Sequence, residues 1–340
     1  MSSIKTVGID LGSKITVYVE GEGIVMREPS CIALDSNSME SVAFGSEALS
    51  LNSRMPGCFN IVDTVFEGRI TDYEKIAELI SALFASNSLL KNDILFAISS
   101  EINEAEARAL CDLLESAKAR SIGFVDIPTT CILGSNEELS DERAVISVNI
   151  GSGLTEIGLV KGCVTKFVHT VKYGCGRFDT AITNYLKRKE SVNISPETAK
   201  MIRETLGSVH SSANFEPIDV RGFDTVTGLP LTIEVTTADT CEALIPIVDY
   251  IIKCVEALVK ALPATIKADI VARGIILSGG GALTGGMEEL FTERLNLPVK
   301  VSPNALDCCI EGLGLIIENK DIFADLIKDP MDYVESRQKK

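Results

Sequence analysis

Two stretches of the chain repeat one plan, and this limits the folds open to it more than any other feature. Residues 5–34, KTVGIDLGSKITVYVEGEGIVMREPSCIAL, read as strand, Asp-Leu-Gly-Ser turn, strand, Gly-Glu-Gly turn, strand. Residues 143–171, RAVISVNIGSGLTEIGLVKGCVTKFVHTV, read the same way around Gly151-Ser152-Gly153. Helical periodicity follows each meander: DYEKIAELISALFA and EAEARALCDLLESAKA flank the apolar strand DILFAIS after the first, and GRFDTAITNYLKRK and SPETAKMIRETLG precede the strand in RGIILSGG after the second. Two copies of one α/β unit are the expected architecture, joined by a short linker near GSNEELSDER. A cleft between two such halves is the default place for a ligand.

A chain of 340 residues with 46% apolar and 24% charged residues has enough material for two packed cores. Its 48 acidic against 32 basic residues leave a net charge of −16, which gives no electrostatic support to nucleic-acid binding. The ten cysteines are scattered without a CxxC pair, mostly inside apolar runs. With no secretory leader recognised, free buried thiols in a reducing cytoplasm are expected. The longest apolar stretch, IPIVDYIIKCVEALVKAL, is broken by Asp249, Lys253, Glu256 and Lys260 at helical spacing and reads as an amphipathic helix rather than a bilayer span.

Three glycine turns carry the chemistry. In the first, Asp10 precedes Leu11-Gly12-Ser13-Lys14; in the second, Asn149 precedes Ile150-Gly151-Ser152-Gly153-Leu154-Thr155. A tight turn between strands lines up backbone N–H groups into a concave anion site, and a carboxylate at its entrance can hold a magnesium water. The third, Ser278-Gly279-Gly280-Gly281-Ala282, follows the strand Ile275-Ile276-Leu277 and lets a flat ring lie against backbone. Each alone is an ordinary hairpin or strand–helix turn. Their order around a repeated meander points to a nucleotide, through neither a Walker A loop nor a Rossmann fingerprint.

The stretches GIDLGS, VEGEGIVMREPS, GSGLTEIGLV, VRGFDTVTGLP, RGIILSGGGALTGGMEEL and LDCCIEGLGL resemble the actin/Hsp70/sugar-kinase superfamily, and within it the MreB-type bacterial actins, over nearly the whole chain. The resemblance implies an α/β actin-like (ribonuclease H-like) duplicated fold of two domains, each split into two subdomains. Domain I is expected over residues 1–142 with a return at 315–340 and a small subdomain near 32–76, and domain II over 143–314 with a small subdomain near 180–240. It implies ATP or ADP with Mg2+ in the central cleft, held by Asp10 (through water), Gly12, Ser13, Lys14, Gly151, Ser152, Gly153, Thr155, Lys200, Arg203, Gly279, Gly280, Gly281 and Ala282. It further implies self-assembly into filaments on the inner face of the cell membrane, with cell-wall or shape proteins as further partners.

The resemblance also marks departures. The family begins its second turn with Asp and orders the attacking water with a Thr; this chain has Asn149 and Leu154 there. The family's catalytic Glu corresponds to Asp126, one methylene shorter, in FVDIPTTCILG. Gly176, Lys200 and Arg203 stand where the family has Asp, Glu and Lys. Binding backbone is retained while hydrolytic groups are weakened, so hydrolysis is expected to be slow or absent. Leu89 and Leu90, adjacent in a polar loop, have two readings: one packs a leucine into the core, and the other, taken from the family, inserts the pair into the membrane. The alternatives to a filament protein are a non-polymerising adaptor of the same fold and a small-molecule kinase. The kinase lacks an evident catalytic Asp, and no peptide-binding domain for a chaperone follows GLGLIIEN.

Overall fold

The computed structural model describes residues 5–84, 88–137 and 141–338. The chain separates into two compact units. One comprises residues 1–139, 163–168 and 307–340, the other residues 140–162 and 169–306, within these described limits.

The first unit is built on a five-stranded sheet in the order Ser121–Asp126, Asp93–Ile98, Thr6–Leu11, Lys14–Val19, Gly23–Pro29. The meander strands pair antiparallel, while Thr6–Leu11, Asp93–Ile98 and Ser121–Asp126 run parallel. The parallel pairs require crossovers, and these contain the helices Tyr73–Phe84 and Glu104–Ser116. The latter starts on a full capping box between Asn103 and Glu106.

Strand alternation sorts the two faces. Val7, Ile9 and Leu11 enter one cluster with Ile94, Phe96, Ile98, Phe124 and Tyr333. Leu95, Ala97 and Val125 enter another, with Cys131, Cys308, Cys309 and Leu313. On that second face the helix Cys308–Glu318 lies so close to the first strand that a Cβ on Gly8 would be 2.7 Å from the Ile317 side chain. The same helix crosses Ile127–Gly134 at two glycines. A Cβ on Gly312 would fall 1.8 Å from the Thr130 carbonyl oxygen, and one on Gly134 1.9 Å from that of Cys308.

A smaller three-stranded sheet of Ser41–Phe44, Cys31–Asp35 and Phe59–Asp63 belongs to the same unit. Beside it, Glu28 of the REPS stretch accepts a 2.7 Å hydrogen bond from the Ser46 backbone N–H at the start of the helix Gly45–Arg54. The carboxylate caps the helix and meets its positive end. Leu89 lies in the short 3-10 turn Ser88–Lys91 and packs half-buried against the first unit's core, so the core-filling reading applies to it. The side chain of Leu90 lies outside the described residues.

The second unit repeats the arrangement. Its sheet has the order Val299–Val301, Ile275–Ser278, Val145–Ile150, Thr155–Lys161, Val164–Val171, of which last strand only residues 169–171 fall in this unit, again with parallel strands on one side of the first meander strand and the meander on the other. One face packs Ile146, Val148, Ile150, Ile157 and Leu277 into the unit's core. The IPIVDYIIKCVEALVKAL stretch belongs to the helix Thr237–Ala261, which opens on a capping box of Thr236 and Asp239 and buries Leu244, Val248, Ile251, Ile252 and Val255. No helix among the described residues is long and apolar enough to cross a membrane. A small sheet of Val192–Asn193, Ile218–Asp224 and Pro230–Val235 completes the unit. All ten cysteines are free thiols, five of them buried.

The crossing at Gly134 and Gly312 leaves no room for a methyl group. Gly312→Ala is expected to destabilise the protein by on the order of 3 kcal/mol through overpacking against backbone. A thermal melt of the variant beside wild type checks this; an unchanged midpoint would mean the two helices can separate at little cost.

Candidate functional site

In the first turn, Gly12 closes the hairpin by donating its N–H to the Lys14 carbonyl at 3.1 Å. The outward carbonyls are taken from behind by one residue: the Ser30 hydroxyl donates to Gly12 O at 2.6 Å, and the Ser30 N–H to Ser13 O at 3.0 Å. Ser13 and Lys14 are exposed.

Asp10 shares its sheet face with Gly8 and Ala97, the face that carries Cys308 and Cys309. Burial pushes its carboxyl up to about 6; a hydrogen bond with the Cys309 thiol works against that rise, and the charge of Asp307 adds to it. Asp307 is itself held by Arg27 in a two-point pair, Nε to Oδ1 at 3.2 Å and Nη2 to Oδ2 at 2.7 Å. Cys309 also touches the Thr130 hydroxyl at 3.1 Å. A half-buried carboxylate short of positive charge suits a hard cation with oxygen ligands.

The second turn closes in the same manner, Gly151 N–H to Leu154 O at 2.9 Å. Its carbonyls are also engaged from behind, by the first N–H groups of the helix Cys175–Glu190: Cys175 donates to Gly151 O at 3.0 Å and Gly176 to Ser152 O at 2.9 Å. That contact depends on Gly174, where a Cβ would sit 2.6 Å from both carbonyl oxygens. Ser152 is exposed and Gly153 half-buried. Thr155 is placed differently from its expected role. It is fully buried, and its hydroxyl donates to the Tyr173 carbonyl at 2.7 Å, so it braces the turn. Leu154 is buried as well. Asn149 accepts from the Ser278 hydroxyl at 3.3 Å.

In the third turn the glycines have unequal duties. Gly279 has φ +80° and a Cβ there would lie 2.4 Å from Ile150 O; one on Gly281 would lie 2.2 Å from the Ile150 side chain. Both let the turn pack on the end of the strand Val145–Ile150. Gly280 meets no such limit: the nearest atom to its Cβ would be in the Leu306 side chain at 3.5 Å. Ala282 is buried. Of the two cationic residues expected here, Lys200 is exposed, whereas Arg203 is committed to Asp179 through a 2.7 Å bond from Nε.

Asp126 does not join Asp10. The register sets Asp10 and Val125 against the same residue, Ala97, so all three share a face, and Asp126, one residue on, projects from the other face. There it is 5% exposed and accepts from Lys328 Nζ at 3.1 Å, on a segment that bridges to Phe124 through its backbone. On the Asp10 face the chain continues with Ile127, packed in the cluster with Cys131 and Cys309. Ser30, Asp307, Cys309 and Lys328 went unnoticed in the sequence because each meets its partner through long-range register rather than local spacing.

Two units with the same strand order, each opened by a hairpin whose glycine turn is braced from behind, define the duplicated actin-like fold. The MreB5 protein of Spiroplasma citri, solved with AMPPNP, superposes with a TM-score of 0.89 at 24% identity, covering 96% of this chain and 99% of that one. A MamK double helical filament superposes at 0.77 with 19% identity, over 93% and 99% of the two chains. In sequence, the MreB/Mbl protein family model matches residues 4–325. The cell shape-determining protein Mbl of Bacillus subtilis is 32% identical over 322 residues, 93% of this chain and 97% of its own length. MreB of Escherichia coli K12 is 30% identical over 324 residues, 92% and 93%. The chain belongs to the MreB/Mbl family of bacterial actin homologues.

The raised carboxyl of Asp10 has a consequence for the ligand-free protein. Between the ordinary value of 3.8 and about 6, the folded chain keeps a proton that the unfolded chain has released. This group's stabilisation is complete below that window and is lost as pH rises through it. Asp10→Asn without nucleotide should therefore be more stable than wild type at pH 7.5, by roughly 3 kcal/mol, with the difference closing toward pH 4. Melting curves across pH check it; a gap independent of pH would remove burial of the charge as the cause.

Proposed function

We propose that this chain is a nucleotide-binding filament protein of the bacterial cytoskeleton, acting in cell shape or wall organisation, and that it hydrolyses ATP slowly or not at all. In this reading ATP and ADP are held with Mg2+ by Asp10, Gly12 to Lys14, Gly151 to Gly153 and Gly279 to Gly281. The observation that carries the reading is the shared construction of the two hairpin turns, whose carbonyls are satisfied from behind, an arrangement suited to turning N–H groups toward phosphate oxygens. Solved relatives of the same fold support it: MreB5 is known with AMPPNP and with ADP, and MamK as a double helical filament.

The cation is proposed to be Mg2+ because the available donors are oxygens. Mg2+ would neutralise phosphate charge, while Asp10 orients its water. Among the described residues no three His, Cys, Asp or Glu side chains converge on one point, so such an ion would take its other ligands from phosphate and water. Attachment to the inner membrane face remains part of the reading on the family resemblance; Leu89, half-buried against the core, has only its exposed part to offer for it.

Gly280 separates ligand binding from packing. Gly280→Val should keep the wild-type melting temperature within a few degrees, since a Cβ there has room, yet weaken ATP affinity by at least about tenfold. Titration calorimetry with Mg2+ decides it, and a variant that binds as tightly as wild type would remove the third turn from the site. Pelleting at high speed with and without ATP separates a filament from a non-polymerising adaptor, and phosphate transfer to candidate sugars would reveal a kinase.

Hydrolysis is limited by Asn149 and Leu154 and by the absence of a carboxylate on the Asp10 face at Ile127. Asn149→Asp with Leu154→Thr should raise phosphate release, whereas Asp126→Glu should not, because residue 126 faces away and is paired with Lys328. A missing general base typically accounts for about 10²–10⁴-fold. A rate gain from Asp126→Glu alone would overturn this assignment of faces.

A further inference from the structure

In the second unit the strands Ile218–Asp224 and Pro230–Val235 are joined by a turn that is both rigid and apolar. The Asp224 carboxylate accepts from the Val226 N–H at 2.9 Å, the Thr227 N–H at 2.7 Å and the Thr227 hydroxyl at 2.9 Å. The Asp224 N–H donates to the Leu229 carbonyl and the Gly228 N–H to that of Asp224, each at 2.9 Å. The Thr225 N–H ties the turn to the Ser191 carbonyl at 2.8 Å. A turn closed in this way has little freedom left to lose on binding. What it holds outward is Phe223 at 59%, Val226 at 86% and Leu229 at 65% exposure. The register sets the exposed Pro230 across from Phe223, on the same face.

The same unit has a second bare surface. Within the helix Ala264–Arg273 only Ile270 is buried. Val271 is 61% exposed, and the exposed Ala264 and Ala268 share its side of the helix at spacings of four and three residues. Asp269 fixes this helix at the base of the strand Val145–Ile150, accepting from the Ala144 N–H at 3.1 Å. The long helix Thr237–Ala261 starts directly after Pro230–Val235 and ends directly before Ala264–Arg273. Its 25 residues, about 37 Å of axis, therefore set the two bare surfaces apart at opposite ends of the unit.

We propose that the turn at residues 223–229 of one copy docks on the helix Ala264–Arg273 of the next, a head-to-tail contact; this rests on the filament reading above and gives it an interface. A contact between unlike patches leaves a growing assembly with one unused patch at either end, so it propagates. Charge selects a second copy as the occupant. The chain carries a net charge of −16, so copies repel where their acidic surfaces meet. Between residues 222 and 231 the one ionisable side chain is Asp224, which is engaged within the turn, and Ala264, Ala268 and Val271 are uncharged. At these two patches like-charged copies can touch with least repulsion.

Pelleting across a range of protein concentrations, with ATP and Mg2+, gives the critical concentration. Val226→Glu and Val271→Lys, both at exposed positions, should each raise it at least about tenfold by placing an unpaired charge in an apolar contact. Melting temperature and ATP affinity should stay near wild type. Should Val271→Lys melt early, Ala268→Lys takes its place. Val226→Glu and Val271→Lys combined in one chain should recover most of the assembly, because the new charges then face each other across the contact. Folded single variants that pellet like wild type, or a double variant no better than the singles, would overturn the proposal. A wild-type chain that pellets at no concentration with any nucleotide overturns the filament reading itself, and this inference with it.

Discussion

The turns take their shape from how closely one backbone is allowed to approach another. In the second unit, Gly174 brings the first N–H groups of the helix Cys175–Glu190 onto the carbonyls of Gly151 and Ser152, and Gly279 with Gly281 brings the third turn onto Ile150. A side chain at any of these three positions would meet backbone or a strand side chain at less than 3 Å. The hairpin turn, the helix behind it and the triple-glycine turn are therefore one block, set by contacts that glycine alone permits. The first unit reaches the same end by another route, with Ser30 taking both carbonyls of its turn. A helix start and a single serine do equivalent work, because what each turn requires is a donor behind it.

That block also limits what the helix Cys175–Glu190 can do by itself. Helix N-termini attract anions through their unpaired N–H groups and dipole. Here the N–H groups of Cys175 and Gly176 are already bonded to the turn. In the proposed reading the turn takes over the anion binding, its polarity enhanced by having its carbonyls engaged.

Much of the architecture was legible in the chain because it is local. The two meanders, their glycine turns, the amphipathic helix around residue 250 and the helices after each meander follow from period and turn chemistry, and the strands and helices fall where the pattern puts them. The Glu28 cap was half legible, since the following Pro29 marks a constrained turn, but its partner Ser46 lies in another element. What escaped was whatever depends on a register. Asp126 looked like a shortened catalytic acid until the alignment of Ser121–Asp126 with Asp93–Ile98 put it on the far face from Asp10. Thr155 looked like a ligand donor until the carbonyl of Tyr173 claimed its hydroxyl. The half-burial of Leu89 turns on a 3-10 turn whose side chains have no period to read.

The division between binding and hydrolysis follows from the same geometry. Binding in the proposed reading is carried by backbone N–H groups and glycine contours, which side-chain drift cannot readily remove. Hydrolysis needs a base and a water-ordering hydroxyl at defined places, and in the proposed reading these places hold Ile127 and Leu154, both buried. A chain can therefore lose the second while keeping the first. A ligand that is bound and released but not consumed biases assembly only by its differential affinity for two states. At one hundred times its dissociation constant it contributes at most about 2.7 kcal/mol toward the state that binds it. Repeated along many subunits, that bias is enough to switch a polymer near its assembly threshold. In such a protein, nucleotide concentration would set the state of the filament, in place of the timed loss of a phosphate.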